Sequence, residues 1–482
     1  MISFRAFLPF MFPLARKVEM RNAARVTQKR KSRPAWKNWM EYAFFRGFEF
    51  VFGLFPPVCI DWAGRKIGSW AWHLAKKRRE TVIRNCKIAW GEELDQVGLE
   101  NLSRSIFSTC GANLFGGMRS SLMTDEQIRR HVTMEGVDCL KKSLAENPNG
   151  VIFALAHMGN WEILARLGVL IIPGVTCGAF YRPLNNPLIN RLVAKRRNSS
   201  GTQLFSSKKG FIKACALLRG GGVLGMLCDQ HAGGSGELST FFGRITPCSP
   251  LPALLQRRTG AAVFYAAVIR TSPAHWKVIL TPQPLTEDAG TPSIMKGLER
   301  TLSLSPADGF WLHDRWKLPT TKPLSLINRR GDLGIAAKPY QILLVLSHDE
   351  KIRNASLPAL QYLIEQRTDL RFFLLGKAEE LIAAHVTRVE NPDNAELVHF
   401  CDALSRNNPL PLDIALIADA PVISSRRSTV PIVAGLGGAD SSWLTIRLSA
   451  VDHDPRDPAT WFALVAKIGC PVAAPEEPPS LP

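Results

Sequence analysis

From residue 149 onward the chain alternates short, unbroken apolar runs with helical stretches, a pattern that is buried by layering helices on a sheet. Pro148-Asn149-Gly150 is a turn signal; behind it, 151–156 is an apolar run of strand length and 163–171 has helical character. Strand-like runs follow at 176–181, 222–228, 261–270 and 276–281, with helical stretches such as 186–198 and 210–218 between them. A second alternation begins at Gln341: strand 342–346, helix 356–366, strand 370–375, helix 378–384, strand 386–389, helix 395–404 and a helix–strand pair over 412–423. The expected fold class is α/β, with a mixed sheet flanked by helices over 36–320 and a smaller Rossmann-like α/β domain over 340–470. Residues 321–339 read as a linker. The Pro/Glu-rich stretch 471–482 reads as a disordered tail.

The region before 149 is helical in pattern. Residues 1–35 read as a poorly ordered basic extension directed at a membrane, because positive charge follows the short apolar start instead of preceding it as in a secretory signal. No window reaches the roughly 20 apolar residues of a bilayer span. Over 36–55, Phe44, Phe48, Val51, Phe52 and Phe55 recur at helical spacing opposite a polar stripe of Asn38, Glu41, Arg46 and Glu49. An amphipathic helix at the bilayer interface is expected there. Trp70, Trp72 and Trp90, close to the basic run 76–79, suit the headgroup layer in the same way.

Of 482 residues, 60 are Lys or Arg and 41 are Asp or Glu, a net charge of +19 that calls for an anionic partner: nucleic acid, an acidic protein or a bilayer surface. With 46% hydrophobic and 21% charged residues the chain is neither disordered nor fibrous. The ten cysteines form no Cys-x-x-Cys pair, which excludes a zinc ribbon or a redox pair and suggests free buried thiols in a reducing compartment. The basic residues are dispersed and no nucleic-acid motif is present, so nucleic acid is set aside.

The strongest local signal is His157-x-x-x-x-Glu162 at the end of the first apolar run. The carboxyl ends of strands are where open α/β sheets present ligands. On a regular helix the two residues would point about 140° apart, so they meet only if His157 sits in a strand-to-helix turn, which Gly159 and Asn160 permit. Glu162 would then accept one imidazole N–H and leave the other ring nitrogen to deprotonate a hydroxyl. The N–H groups of the following helix would serve an oxyanion. Tyr181-Arg182-Pro183 with Asn186-Pro187, Asp229-Gln230, Phe241-Phe242-Gly243 and the closing run Trp311-Leu312-His313-Asp314-Arg315-Trp316-Lys317 follow downstream.

In this order and spacing, His-x-x-x-x-Glu, Tyr-Arg-Pro-x-x-Asn-Pro, Asp-Gln, Phe-Phe-Gly and Trp-x-x-x-Arg-Trp-Lys resemble the lipid A biosynthesis acyltransferase family of lauroyl/myristoyl type, in the lysophospholipid acyltransferase superfamily. Asn85 with Ile88-Ala89-Trp90 resembles that family's N-terminal segment. The resemblance covers residues 36–320. It implies transfer of a fatty acyl chain from an acyl carrier protein or coenzyme A thioester to a hydroxyl of a lipid A precursor. The reaction would run at the cytoplasmic face of the inner membrane, without metal or further cofactor. By resemblance His157 is the general base and Glu162 its partner, while Arg182, Asn160, Asp229, Gln230 and Arg315 are substrate-binding residues. Leu312-His313-Asp314 and Trp316 depart from the family's usual residues and bear on acceptor identity.

Residues 340–470 faintly resemble the nucleotide-sugar half of a heptosyltransferase-like enzyme of glycosyltransferase family 9. An accessory domain is expected, dispensable for acyl transfer in a fragment ending before residue 339. The competing readings are acylation of another glycolipid or phospholipid, a bifunctional acyltransferase–glycosyltransferase, and an inactive lipid-binding module.

Overall fold

The computed structural model of the chain describes residues 34–318 and 338–461, apart from positions 182, 200, 207–209, 234–235, 392–395, 419–427, 437–445, 448–453, 455 and 458–459. Most of the expected basic extension and linker, and all of the expected tail, lie outside the described residues.

The described chain opens on helices α1 (Ala35–Leu54), α2 (Pro57–Leu74), α3 (Lys76–Trp90), α4 (Gln96–Ser120) and α5 (Asp125–His131). There follow β1 (Val132–Glu135), α6 (Val137–Glu146), β2 (Val151–Leu155), a 3₁₀ turn (Trp161–Ile163), α7 (Leu164–Ile171), β3 (Cys177–Tyr181), α8 (Pro187–Ser199), β4 (Thr202–Ser206), α9 (Phe211–Arg219) and β5 (Val223–Leu227). A hairpin, β6 (Glu237–Phe241) and β7 (Arg244–Cys248), precedes α10 (Leu251–Thr259), β8 (Ala262–Ser272), β9 (His275–Pro282) and α11 (Thr291–Ser303). The first sheet runs β1-β9-β8-β2-β5-β3-β4, parallel except for the β8–β9 pair. It is the expected mixed sheet. β1, β4 and the hairpin were not legible in the sequence: each is short, and β7 carries Pro247, a residue that ordinarily argues against a strand.

Two features seat the helices on this sheet. α2 and α4 cross so closely that a Cβ on Gly64 would lie 2.6 Å from Gly111 O, and one on Gly111 2.2 Å from Gly64 O. Glycine is therefore required at the crossing. Buried Arg270 of β8 reaches back to Asp61 of α2 and Asn113 of α4. Its guanidinium is thereby paired where burial alone would be costly.

α1 is amphipathic in the inverse sense. Its acidic residues face the protein: Glu49, 3% exposed, is clasped by Arg196 of α8, and Glu41 accepts from Asn186 Nδ2 at 3.0 Å. Phe52 packs on Phe115 of α4, ring centroids 4.9 Å apart. Trp39, Phe44, Phe50 and Leu54 face outward, 59–70% exposed. On the same helix Met40, Ala43, Phe44, Gly47, Phe48, Val51 and Phe52 line an open apolar groove of about 570 Å³. Of the three tryptophans expected at a headgroup layer only Trp70 is exposed. Trp72 is buried between Arg79 and Arg104, and Trp90 is buried against Phe242 and Trp311. Among the described residues no helix is long and apolar enough to cross a membrane. Cys59 and Cys139 are exposed, contrary to the expectation of buried thiols throughout.

The C-terminal region comprises β10 (Gln341–Val345), α12 (Glu350–Gln366), β11 (Arg371–Leu375), β12 (Val386–Val389), α13 (Leu397–Asn407), β13 (Ile414–Ala418), β14 (Ile432–Leu436) and β15 (Ile446–Arg447). All of its strand pairs are parallel, in the order β12-β11-β10-β13-β14-β15. This sheet reverses direction between β10 and β13, as doubly wound sheets do. The helix expected over 378–384 is a pair of turns: Ala378 and Leu381 are drawn into the core, and so short a segment gains little from helix propagation.

The two sheets are joined by buried polar contacts. Asp413, fully buried just before β13, pairs with Arg84 of α3 and with Arg244 of β7. Lys87 Nζ donates to the carbonyls of Ser405 and Arg406, and Lys338 Nζ to those of Ile88 and Ala89. Tyr340 Oη donates to Ile245 O at 2.7 Å. Removing the C-terminal third would leave buried Arg244 without its carboxylate, a costly loss that weighs against the expectation that this region is dispensable.

Candidate active site

β2 and β5 are neighbours in the sheet although a 3₁₀ turn, three helices and the β3–β4 pair separate them in sequence. Leu155 lies opposite Leu227, and the two strands leave the sheet in step, with Cys228 N–H donating to Leu155 O at 3.0 Å. Two residues further on, His157 meets Asp229. The His157 backbone N–H donates to Asp229 Oδ2 at 3.1 Å, and Nδ1 lies 2.7 Å from Oδ1.

The turn holding His157 is pinned from a distant segment. Gly159 N–H donates to Asp308 O and Phe310 N–H to His157 O, both at 2.8 Å, with Met158 bridging Gly309. Gly159 has φ +55°, and a Cβ there would lie 2.1 Å from Val268 O, so no other residue fits. The imidazole packs edge-on against Trp161 at 5.2 Å, with Phe310 at 6.2 Å.

Burial by itself would favour neutral imidazole, yet the Asp229 carboxylate, helped by the charge of Glu162, raises the His157 pKa above its ordinary value. Burial likewise opposes ionisation of Asp229, but the His157 partner and the backbone N–H hold its pKa below the usual carboxylate value. An ionised carboxylate only accepts, so Nδ1 carries the proton and Nε2 of the neutral ring is left unprotonated.

In place of the expected hydrogen bond from the imidazole N–H to Glu162, Nδ1–H donates to Asp229. Glu162 is exposed in the 3₁₀ turn, its Cγ 3.5 Å from where a Cβ on Gly117 of α4 would lie, and toward His157 it acts through its charge. The reason is geometric: a parallel neighbour leaving the sheet in register is closer than a residue beyond the turn. Asn160, expected to bind substrate, is 1% exposed and donates to Ser120 Oγ at 3.2 Å, which fastens the turn to α4. Among the N–H groups of the following helix expected to serve an oxyanion, that of Ile163 is occupied by Asn160 O. Arg182 lies outside the described residues.

Asp229, Gln230 and Arg315, expected to bind substrate, come together around a cavity that Phe241, Leu302, Phe310, Trp311 and His313 complete. Its volume, about 20 Å³, admits a water molecule and no acyl chain. Arg315 is 3% exposed: Nη1 donates to Thr246 Oγ1 and Pro247 O, Nη2 to Cys248 Sγ, and the guanidinium covers the Phe241 ring at 4.6 Å. It is a structural tie between the closing run and the β6–β7 hairpin. His313 Nε2 accepts from His231 N–H at 3.2 Å, and both imidazoles are driven down to a pKa of about 4, by burial first and then by the Arg315 charge. Asn85 Nδ2 donates to Trp311 O at 2.9 Å and His313 O at 2.7 Å, holding this wall of the cavity to α3.

Sequence reasoning assigned Asp229 to the site but not to His157, and singled out neither Phe310 nor His313 as site residues. Phe310 carries no local signal, since its place depends on a bridge formed across the fold. His313 stood in the closing run, two residues before Arg315, and that place in the run was the available clue. Among the described residues no group of three or more His, Cys, Asp or Glu side chains is placed to hold a metal ion.

A model of the family described as bacterial lipid A biosynthesis acyltransferase matches residues 26–318, more than half of the chain. Over 223 residues the chain is 24% identical to a Haemophilus influenzae protein described as a lipid A biosynthesis acyltransferase. That alignment takes in 45% of this chain and 66% of the relative, so the chain spans just under two thirds of the relative's length.

Proposed function

Because the chain belongs to the bacterial lipid A biosynthesis acyltransferase family, we propose that it moves a fatty acyl chain from an acyl carrier protein or coenzyme A thioester to a hydroxyl of a lipid A precursor. His157 Nε2 takes the acceptor hydroxyl's proton as the oxygen attacks the thioester carbonyl. The tetrahedral adduct collapses by breaking the C–S bond, and the imidazolium returns the proton to the departing thiolate. Asp229 fixes the tautomer and stabilises the imidazolium. Glu162 adds negative charge at the mouth of the site, and Arg182 binds acceptor phosphate. No metal or cofactor takes part.

The observation that carries this reading is the His157–Asp229 pair at the carboxyl edge of the sheet, at the start of the family's His-x-x-x-x-Glu motif. The outward-facing aromatics of α1 support a place on the cytoplasmic face of the inner membrane. A helix that buries Glu49 and exposes Phe44 suits an apolar surrounding on its outer side. The excess of basic charge suits both the acidic carrier protein and a phosphorylated lipid.

The test is acyl transfer by the purified chain from radiolabelled acyl carrier protein to a panel of lipid acceptors. Labelled lipid A precursor is expected, and a His157→Ala variant should lose a factor of about 10² or more. Transfer at the parent rate in that variant would end the assignment of the base. A second reading, in which the C-terminal sheet is a Rossmann-like sugar-nucleotide half, rests on its strand order. Calorimetric titration of the full chain with nucleotide sugars tests it, and the absence of heat at millimolar ligand would retire it.

A further inference from the structure

We propose that Asp413, in the C-terminal sheet, is a positioning residue for the acyl-transfer site; the proposal rests on the acyltransferase reading above. Asp413 is fully buried, and its Oδ1 is shared by two guanidinium groups. Arg84 approaches from α3, and Arg244 Nη1 donates at 3.0 Å from β7. Oδ2 accepts the Gln341 N–H at 2.8 Å, which ties the carboxylate to the first residue of β10.

Each arginine stands beside an element that walls the cavity next to His157. Arg84 precedes Asn85, whose amide holds the carbonyls of Trp311 and His313. Arg244 is the register partner of Phe241, which lines the cavity, and two residues along the same strand Thr246 accepts from Arg315. The two cavity walls are thus drawn together by one carboxylate that belongs to neither.

The like charges of Arg84 and Arg244 oppose each other in a buried setting. Take the carboxylate's charge away and they separate, α3 moving with the Trp311–His313 segment and β7 with Phe241 and Arg315. The other contacts with the C-terminal region carry no counter-charge for Arg244: Lys87 and Lys338 grip backbone carbonyls, Tyr340 Oη donates to Ile245 O, and Arg244 itself donates to the carbonyls of Lys338 and Pro339. Arg84 also feels the charge of Asp314, within the 311–316 segment, so Asp413 is the carboxylate the two guanidinium groups share. A role is therefore assigned to a region that a minimal acyltransferase does without: its sheet supplies the counter-charge that sets the spacing of the cavity walls.

The experiment uses the full chain with Asp413→Asn, which keeps the side chain's shape and removes its charge, and separately Arg84→Gln, which leaves the Asp413–Arg244 pair intact. Amide hydrogen exchange is followed at 237–248, 311–316 and 151–155, together with kcat and KM for acyl transfer. In Asp413→Asn, exchange at 237–248 and 311–316 should quicken about tenfold or more with 151–155 still protected. There kcat should fall about tenfold or more while KM changes less than about threefold. Arg84→Gln should loosen 311–316 and lower kcat in the same sense, and it decides the matter if Asp413→Asn does not fold. Parent-like exchange in both segments overturns the proposal. So does a uniform rise that includes 151–155, or a local rise with kcat unchanged. If the parent chain transfers no acyl group, the acyltransferase reading fails by itself, and the proposal falls with it whatever the exchange pattern.

Discussion

His157 Nδ1 lies 2.7 Å from Asp229 Oδ1, and the same histidine's backbone N–H donates to Asp229 Oδ2, so one buried carboxylate fixes both the ring and the chain that carries it. Removing its charge should cost more than removing that of Glu162. Asp229→Asn is expected to lower kcat by about 10² to 10⁴, because an amide tolerates the wrong tautomer and no longer stabilises imidazolium. Glu162→Gln should act mainly on the pH dependence. Steady-state kinetics of both variants check this; parent-like turnover in Asp229→Asn would refute it.

The pH dependence follows from the same pair. A general base works only when neutral, so activity should rise with pH through a value above the ordinary 6.5 of histidine. That limb should move toward acid in Asp229→Asn, and by less in Glu162→Gln. For stability, the raised His157 pKa contributes fully below 6.5 and is lost as pH rises through the folded value. The lowered Asp229 pKa contributes above 3.8 and is lost as pH falls through its folded value. Melting curves of parent and Asp229→Asn should therefore differ most between pH 3.8 and 6.5. A gap that is largest at pH 9 would contradict the assignment.

His231 and His313 work in the opposite sense. Both are held neutral in the fold, with pKa values near 4 against an ordinary 6.5, so the unfolded chain takes up protons first as the pH drops. Stability should decline from pH 6.5 toward 4. His313→Gln should flatten this decline, measured as the change in urea midpoint between pH 7 and pH 5; an unchanged slope would exclude His313 as a source.

Gly159→Ala should cost about 1–3 kcal/mol and most of the turnover, since it combines a left-handed backbone with a clash against Val268 O. Gly174, with φ +85° and nothing within 4 Å of a built Cβ, is the control. There alanine should cost only about 1–2 kcal/mol and leave kcat unchanged. Equal kinetic effects at both positions would dissociate the Gly159 turn from the chemistry.

Membrane docking can be read without any assay of transfer. Trp39 and Phe44 are 63% and 59% exposed, and each large side chain moved out of water is worth about 1.5–3 kcal/mol. Trp39→Ala with Phe44→Ala should weaken flotation with anionic phospholipid vesicles by about tenfold or more, with the circular dichroism spectrum unaltered. Binding that is indifferent to both substitutions would place the membrane face elsewhere.

The amino-acid order by itself determined the elements and the place of His157. Apolar runs and helical periods are local properties, so β2, β3, β5, β8, β9 and most of the C-terminal strands stand within a few residues of where they are expected, and His157 falls at a strand end in either description. Helix existence was legible for the same reason, whereas the direction α1 faces was not: its apolar stripe was plain, but only the positions of Arg196 and Asn186 made its acidic residues the inner ones. Which carboxylate holds His157 was decided by the adjacency of β2 and β5, strands 72 residues apart at the point of contact, and no sequence spacing encodes which strands become neighbours. The meeting of Asp413 with Arg84 and Arg244 is of the same kind. Local patterns follow from the chain's own periodicity, while such pairs exist only once separate elements have been packed and their buried charges must find partners.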